Sequence, residues 1–189
     1  MPEIRVLDQS TINQIAAGEV VERPSSIVKE LVENAVDANS TAVTVEIKGG
    51  GIDFIRITDN GCGIEKAQVR KAFLPHATSK IRSASDLETV VSLGFRGEAL
   101  SSIASVAKVE LVTKTDEGIS GIRYVIEGGE EKSYDEIGCP EGTTFIIRNL
   151  FFNTPARRKF LKSKMTEAGY VESFIQRLAL SHPDISFKF

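Results

Sequence analysis

Apolar positions first recur at helical spacing behind Pro24. Ile27, Val28, Leu31, Val32, Ala35 and Val36 predict an amphipathic helix over about 25–38. The period then switches to two. Val43, Val45 and Ile47 alternate with Thr44, Glu46 and Lys48; Gly49-Gly50-Gly51 turns the chain; Ile55 and Ile57 alternate with Arg56 and Thr58. A short helix is expected after Gly63. Residues 73–98 hold no sustained period and carry Pro75, Gly94 and Gly97, and a connection of that length without pattern is usually functional. Beyond it the pattern predicts a helix over about 97–105 and strands near 107–115, 119–127, 130–137 and 143–149. A basic helix follows from Pro155, then a last helix marked by Val171, Phe174, Ile175, Leu178 and Ala179. Ile185 to Phe189 reads as a strand in mid-course, which predicts a fragment of a longer chain. Strands clustered in hairpins, with helices gathered elsewhere, predict an α/β fold: a two-layer sandwich of helices on a mixed, mainly antiparallel sheet.

Composition narrows the class. At 189 residues, 41% hydrophobic and 26% charged, the chain suits one globular domain with a sizeable core. No run of about 20 apolar residues exists to span a membrane, and Met1-Pro2-Glu3 opens no export signal. The expectation is a protein that is not secreted and has no membrane partner. Two cysteines and two histidines supply neither a disulfide framework nor a zinc site; Cys62 reads as a small buried residue. The formal charge of -3 hides an asymmetry. Residues 116–141 carry eight acids against Arg123 and Lys132, whereas 148–164 carry six bases and no acid. Such a run attracts a polyanion or forms a solvated helix face.

Three polar clusters carry candidate chemistry. On the helix over 25–38, Glu30, Asn34 and Asp37 fall within about 60° of one another beside Ile27, with Glu33 as one more polar residue of that face. Two carboxylates and an amide together hold a hard cation or orient a water. Asp59 shares the side-chain parity of Ile55 and Ile57, so it points to the apolar face, where a carboxylate needs donors. An adenine amine is a fitting donor, and Gly61 and Gly63 allow a flat base close to the backbone; the plain alternative is an Asp-Asn-Gly turn. Gly94-Phe95-Arg96-Gly97-Glu98-Ala99-Leu100 opens a helix with exposed amides suited to phosphate, downstream of His76-Ala77-Thr78-Ser79-Lys80. A Thr143 hydroxyl in Gly142-Thr143 is placed to hydrogen-bond Asp59. Walker-type, dinucleotide-type and serine-elbow motifs do not occur.

In order, Glu30 to Ala38, Asp59-x-Gly61-x-Gly63, Gly94 to Leu100 and Gly142-Thr143 resemble the four motifs of the ATPase family that groups gyrase, chaperone, histidine kinase and MutL proteins. Ile15 to Pro24, His76 to Lys80 and Asn153 to Leu161 resemble its DNA mismatch-repair branch. The resemblance implies an ATPase with ATP and Mg²⁺ as cofactors. Glu30 would be the catalytic base, Asn34 the Mg²⁺ ligand and Asp59 the acceptor of the adenine amine, aided by Thr143 through a water. The remaining nucleotide-binding residues would be Asp37, Gly61, Gly63, Thr78, Ser79, Lys80, Gly94, Phe95, Arg96, Gly97, Glu98, Ala99 and Leu100. It also implies an N-terminal arm over about 1–23, a nucleotide lid over about 73–98, and a second subdomain beyond Phe189 that supplies a phosphate-binding lysine, leaving turnover by this piece weak.

Partners implied are DNA, a mismatch-recognition protein and other repair factors, and a second copy (or a related chain) in an ATP-dependent dimer. Arg157, Arg158, Lys159 and Lys162 are the DNA-binding candidates, with sequence-independent contact expected. The setting would be a bacterial cytoplasm or, in a eukaryote, the nucleus. A nucleotide-switched binding module with little turnover is the alternative, as is another member of the same family.

Overall fold

The computed structural model describes residues 5–77 and 98–189. The helix behind Pro24 forms as patterned, over Pro24–Asp37 (α2), with proline at its first turn where no amide is missed. Before it, the expected arm contains a helix that periodicity did not announce, Gln9–Val20 (α1), capped by the Asp8 side chain accepting from Thr11 N–H. Then come Ala42–Lys48 (β1), Phe54–Asp59 (β2), Lys66–Ala72 (α3), Ala99–Val106 (α4), Lys108–Lys114 (β3), Gly121–Glu127 (β4), Glu130–Ile137 (β5), Gly142–Arg148 (β6), Pro155–Phe160 (α5), Lys164–Ser181 (α6) and Ser186–Lys188 (β7).

The seven strands form one sheet in the order β5-β4-β3-β6-β2-β1-β7. Every pairing is antiparallel except β1 with β7. This is the mixed, mainly antiparallel sheet that the hairpin spacing predicts. Alternation leaves one face buried. Val45, Ile57, Phe145, Leu111 and Tyr124 line up strand by strand in one apolar row, and Ile47, Ile55, Ile147, Val109 and Ile126 in the next. α2, α4 and α6 supply the opposing layer through Ile27, Val28, Leu31, Ile103, Val171 and Ile175. The other face carries ion pairs such as Arg56–Glu46 and Arg123–Glu110.

Two glycine approaches position the helices. Gly50 adopts φ 71° and meets the Lys164 backbone, where a Cβ would lie 2.4 Å from the carbonyl oxygen. That contact seats the start of α6 on the turn between β1 and β2. At Gly18 of α1, a Cβ would lie 1.5 Å from Nη2 of Arg157. α1 also lies against α4 and buries Ala17 in the core, as does Val21 just past its end.

Candidate nucleotide site

A third row crosses the buried face at one end of the sheet: Val43, Asp59, Thr143, Thr113 and Ile122. Its three middle members are polar, and all five are buried. Asp59 therefore points where parity predicts. Its Oδ1 accepts from Gly61 N–H at 2.8 Å and from the Ser40 hydroxyl at 3.3 Å, and the Thr143 backbone N–H also reaches the carboxylate. Burial pushes its pKa above the ordinary 3.8, against the pull of those three donors.

Thr143 departs from expectation. Its hydroxyl meets Thr113 Oγ1 at 3.1 Å rather than Asp59, because Thr113 is its cross-strand neighbour on β3. Thr113 also accepts from Ile64 N–H at 2.9 Å and donates to the Gly142 carbonyl at 3.1 Å. Sequence reasoning missed Thr113 and Ser40. The parity of Thr113 with Val109 and Leu111 places it on the core face and was the available signal for it.

The glycines of the Asp59 loop answer to protein contacts. A Cβ on Gly61 would sit 2.7 Å from Ser40 Oγ and 2.8 Å from the Ala38 carbonyl oxygen. Gly63 takes φ 71° and would meet the Lys114 carbonyl at 2.1 Å. Both let the loop wedge between the end of α2 and the end of β3. Asn60 fastens the same loop, its Oδ1 accepting from Thr41 and Ala42 N–H at 2.9 Å. Cys62 is exposed, not buried as its size suggested.

On α2, Glu30 and Asn34 are half-buried and Asp37 is exposed, one flank as the wheel predicts. Glu33 is no plain surface residue: it is 5% exposed, with Lys29 Nζ 3.8 Å away one turn earlier. Asn34 offers an amide oxygen, a hard donor of the type Mg²⁺ takes alongside waters and phosphates. Thr78, Ser79, Lys80, Gly94, Phe95, Arg96 and Gly97 lie outside the described residues, as does most of the expected lid. At its far flank Glu98 ends 3.1 Å from Nδ1 of His76, while Ala99 and Leu100 open α4.

The basic run is more engaged than its charge suggested. Arg157 donates to the Ile15 carbonyl of α1 at 3.4 Å, Arg158 pairs with Asp53 at 3.7 Å and Lys164 with the same carboxylate at 2.7 Å. Lys159 and Lys162 are exposed. A basic surface that the sequence hid lies elsewhere. Arg23, Lys29 and Arg177 line a groove of about 470 Å³ between α2 and α6, with Ser25, Ser26 and Ser173 and with no acid in its lining. Arg23 stacks over Tyr170 at 4.7 Å.

A layer of helices on a mixed, mainly antiparallel sheet, with a carboxylate-amide flank on one helix and a buried carboxylate at a strand end, is the α/β architecture of one family of ATPases. The chain belongs to the histidine kinase-, DNA gyrase B- and HSP90-like ATPase family, whose profile matches residues 22–138. Within it the chain is 69% identical, over its whole length and 29% of the relative, to the DNA mismatch repair protein MutL of Agathobacter rectalis. It is 56% identical to the MutL of Caldanaerobacter subterraneus, again over its whole length and 32% of that protein. The chain thus spans about a third of the curated relatives it matches. Among solved structures it resembles the Aquifex aeolicus MutL ATPase domain complexed with ADP, at TM-score 0.70 and 38% identity over 89% of this chain and 59% of that one. The N-terminal domain of a DNA repair protein matches at TM-score 0.78 and 30% identity, over 93% of this chain and 50% of that one.

Proposed function

We propose that the chain binds ATP with Mg²⁺ and hydrolyses it as the nucleotide-handling part of a MutL-type mismatch-repair protein. The observation that carries this reading is Asp59. A carboxylate is expensive on a core-facing position, yet here it is kept, solvated by three donors at the end of β2 and tied through Ser40 to the segment that leaves α2. A base with an exocyclic amine gives that charge a fourth donor. The ADP-bound MutL ATPase domain among the relatives supports the same ligand class.

Glu30 acts as the base that orients and deprotonates the attacking water, and Asn34 would hold the cation through its amide oxygen. Mg²⁺ would supply neutralisation of phosphate charge there. The work left to this chain is positioning and water activation, which is what phosphoryl transfer to water needs from a protein. The nucleotide cycle gates dimerisation through the arm, where Ile12 and Ile15 of α1 stand exposed, and gates contact with DNA and repair partners. DNA is held without regard to sequence by exposed cations: Lys159 and Lys162 beside α5, and the Arg23–Lys29–Arg177 groove.

Calorimetry of ADP and ATP binding, with and without Mg²⁺, on wild type and Asp59→Asn tests the reading. Magnesium-dependent ATP binding that the substitution abolishes is the expected result. Equal binding by both proteins places the nucleotide elsewhere and overturns it.

A further inference from the structure

We infer that Thr113, which lies behind the nucleotide site, fixes its preference for an amino-purine by setting the direction of the Thr143 hydroxyl proton. This rests on the reading of Asp59 as the acceptor of the base amine. Thr113 is 1% exposed, whereas Asp59 and Thr143 keep 8% and 7%, so a ligand reaches the latter pair and Thr113 acts through its neighbour.

The argument is a count of protons. Thr113 Oγ1 has three partners: Ile64 N–H at 2.9 Å, the Gly142 carbonyl at 3.1 Å and Thr143 Oγ1 at 3.1 Å. The Ile64 amide can only donate and the Gly142 carbonyl can only accept. The one arrangement in which all three contacts are hydrogen bonds sends the single Thr113 proton to Gly142, and the contact between the two hydroxyls is then made by the proton of Thr143. That proton points along the row toward β3, away from Asp59. What Thr143 Oγ1 keeps for a ligand is lone pairs.

Asp59, its neighbour on the other side of the row, is likewise an acceptor when ionised. The row therefore presents two acceptors and no side-chain donor. An exocyclic amine with two N–H groups, directly or through one water, satisfies both. A 6-oxo purine places a third acceptor against them and leaves buried groups unpaired, which is how a polar site rejects a near-isostere.

The test compares ADP with IDP, which carries an oxo group where ADP has its amine, by calorimetric Kd on the chain. Thr113→Val removes the hydroxyl at constant shape and frees the Thr143 proton to turn toward the ligand. The ADP-over-IDP preference should then narrow by about tenfold, the worth of one net hydrogen bond. Thr113→Ser should keep the wild-type ratio. Thr143→Val, which leaves Ile64 and Gly142 with their partner, should narrow the ratio alike, and Thr113→Val added to it should change the ratio no further. A Thr113→Val protein whose two affinities fall by one common factor, or whose effect persists in the Thr143→Val background, reduces Thr113 to a packing residue and overturns the inference. Should Thr113→Val fail to fold, an unchanged ratio in Thr143→Val overturns it on its own. Wild type that ignores ADP altogether overturns the adenine reading itself, and the inference with it.

Discussion

Arg157 of α5 closes over Gly18 of α1, its guanidinium occupying the space a Cβ would need, 1.5 Å from Nη2, and donating to the Ile15 carbonyl at 3.4 Å. A cation that looks in sequence like a phosphate contact thus clamps the N-terminal helix to the domain. Gly18→Ala displaces the guanidinium, the far end of a flexible side chain, so the clash is relieved cheaply at the cost of the hydrogen bond to the Ile15 carbonyl. That loss offsets part of the gain in helix propensity, itself up to about 1 kcal/mol. In an Arg157→Ala background only propensity remains, so the same substitution should stabilise more there than in the wild type. Urea unfolding of the four proteins measures both. An equal Gly18→Ala effect in the two backgrounds refutes the clamp.

Asp59 gives the fold a distinctive pH dependence. Burial raises its pKa above 3.8 in the folded chain. Between 3.8 and that raised value the folded state holds a proton that the unfolded state releases. Stability therefore falls as pH rises through this window, and the full cost of the buried charge is present above it. Asp59→Asn has no such proton. The stability of wild type minus that of Asp59→Asn should decrease as pH is raised from about 3 toward neutrality, whatever the absolute change. Thermal unfolding at a series of pH values reads the difference, and a flat line contradicts the assigned burial.

Much of this was legible in the sequence because one face of the sheet is buried. The alternation in β1 and β2 named their inward residues directly, and it also aimed Asp59 inward. α1 escaped because Ile12 and Ile15 are exposed while Ala17 is buried, so its apolar residues form no stripe facing the core. Local spacing also cannot show long-range partners. Thr113 meets Thr143 across the sheet, and Arg23 and Arg177 line one groove from separate elements; neither placement has a sequence period. The close approaches of Gly61 and Gly63 were hidden for the same reason, since the atoms beside them belong to Ala38, Ser40 and Lys114.

Glu30 separates binding from turnover. It is half-buried on the α2 flank, one turn before Asn34. Glu30→Gln keeps shape and hydrogen bonding but cannot take a proton from water. Nucleotide affinity should stay within about threefold while the hydrolysis rate falls by roughly 10²–10⁴, the usual worth of a positioned base. Calorimetric Kd and phosphate release measured on one preparation give both numbers. Loss of affinity in proportion to the loss of rate would assign Glu30 to binding instead.

The two basic surfaces make opposite predictions for DNA. Arg157 is committed to α1 and Arg158 to Asp53, so reversing their charge should cost stability more than DNA affinity. Arg23, stacked over Tyr170, and Arg177 line a groove without an acid. If both contact phosphates of duplex DNA, Arg23→Glu with Arg177→Glu removes two contacts. The slope of log K against log salt should then flatten by about 1.8, at roughly 0.9 per phosphate. Fluorescence anisotropy with a labelled duplex over a salt series measures it, beside thermal unfolding of each variant. A slope flattened instead by Arg157→Glu with Arg158→Glu, at unchanged stability, would return the DNA contact to the α5 turn.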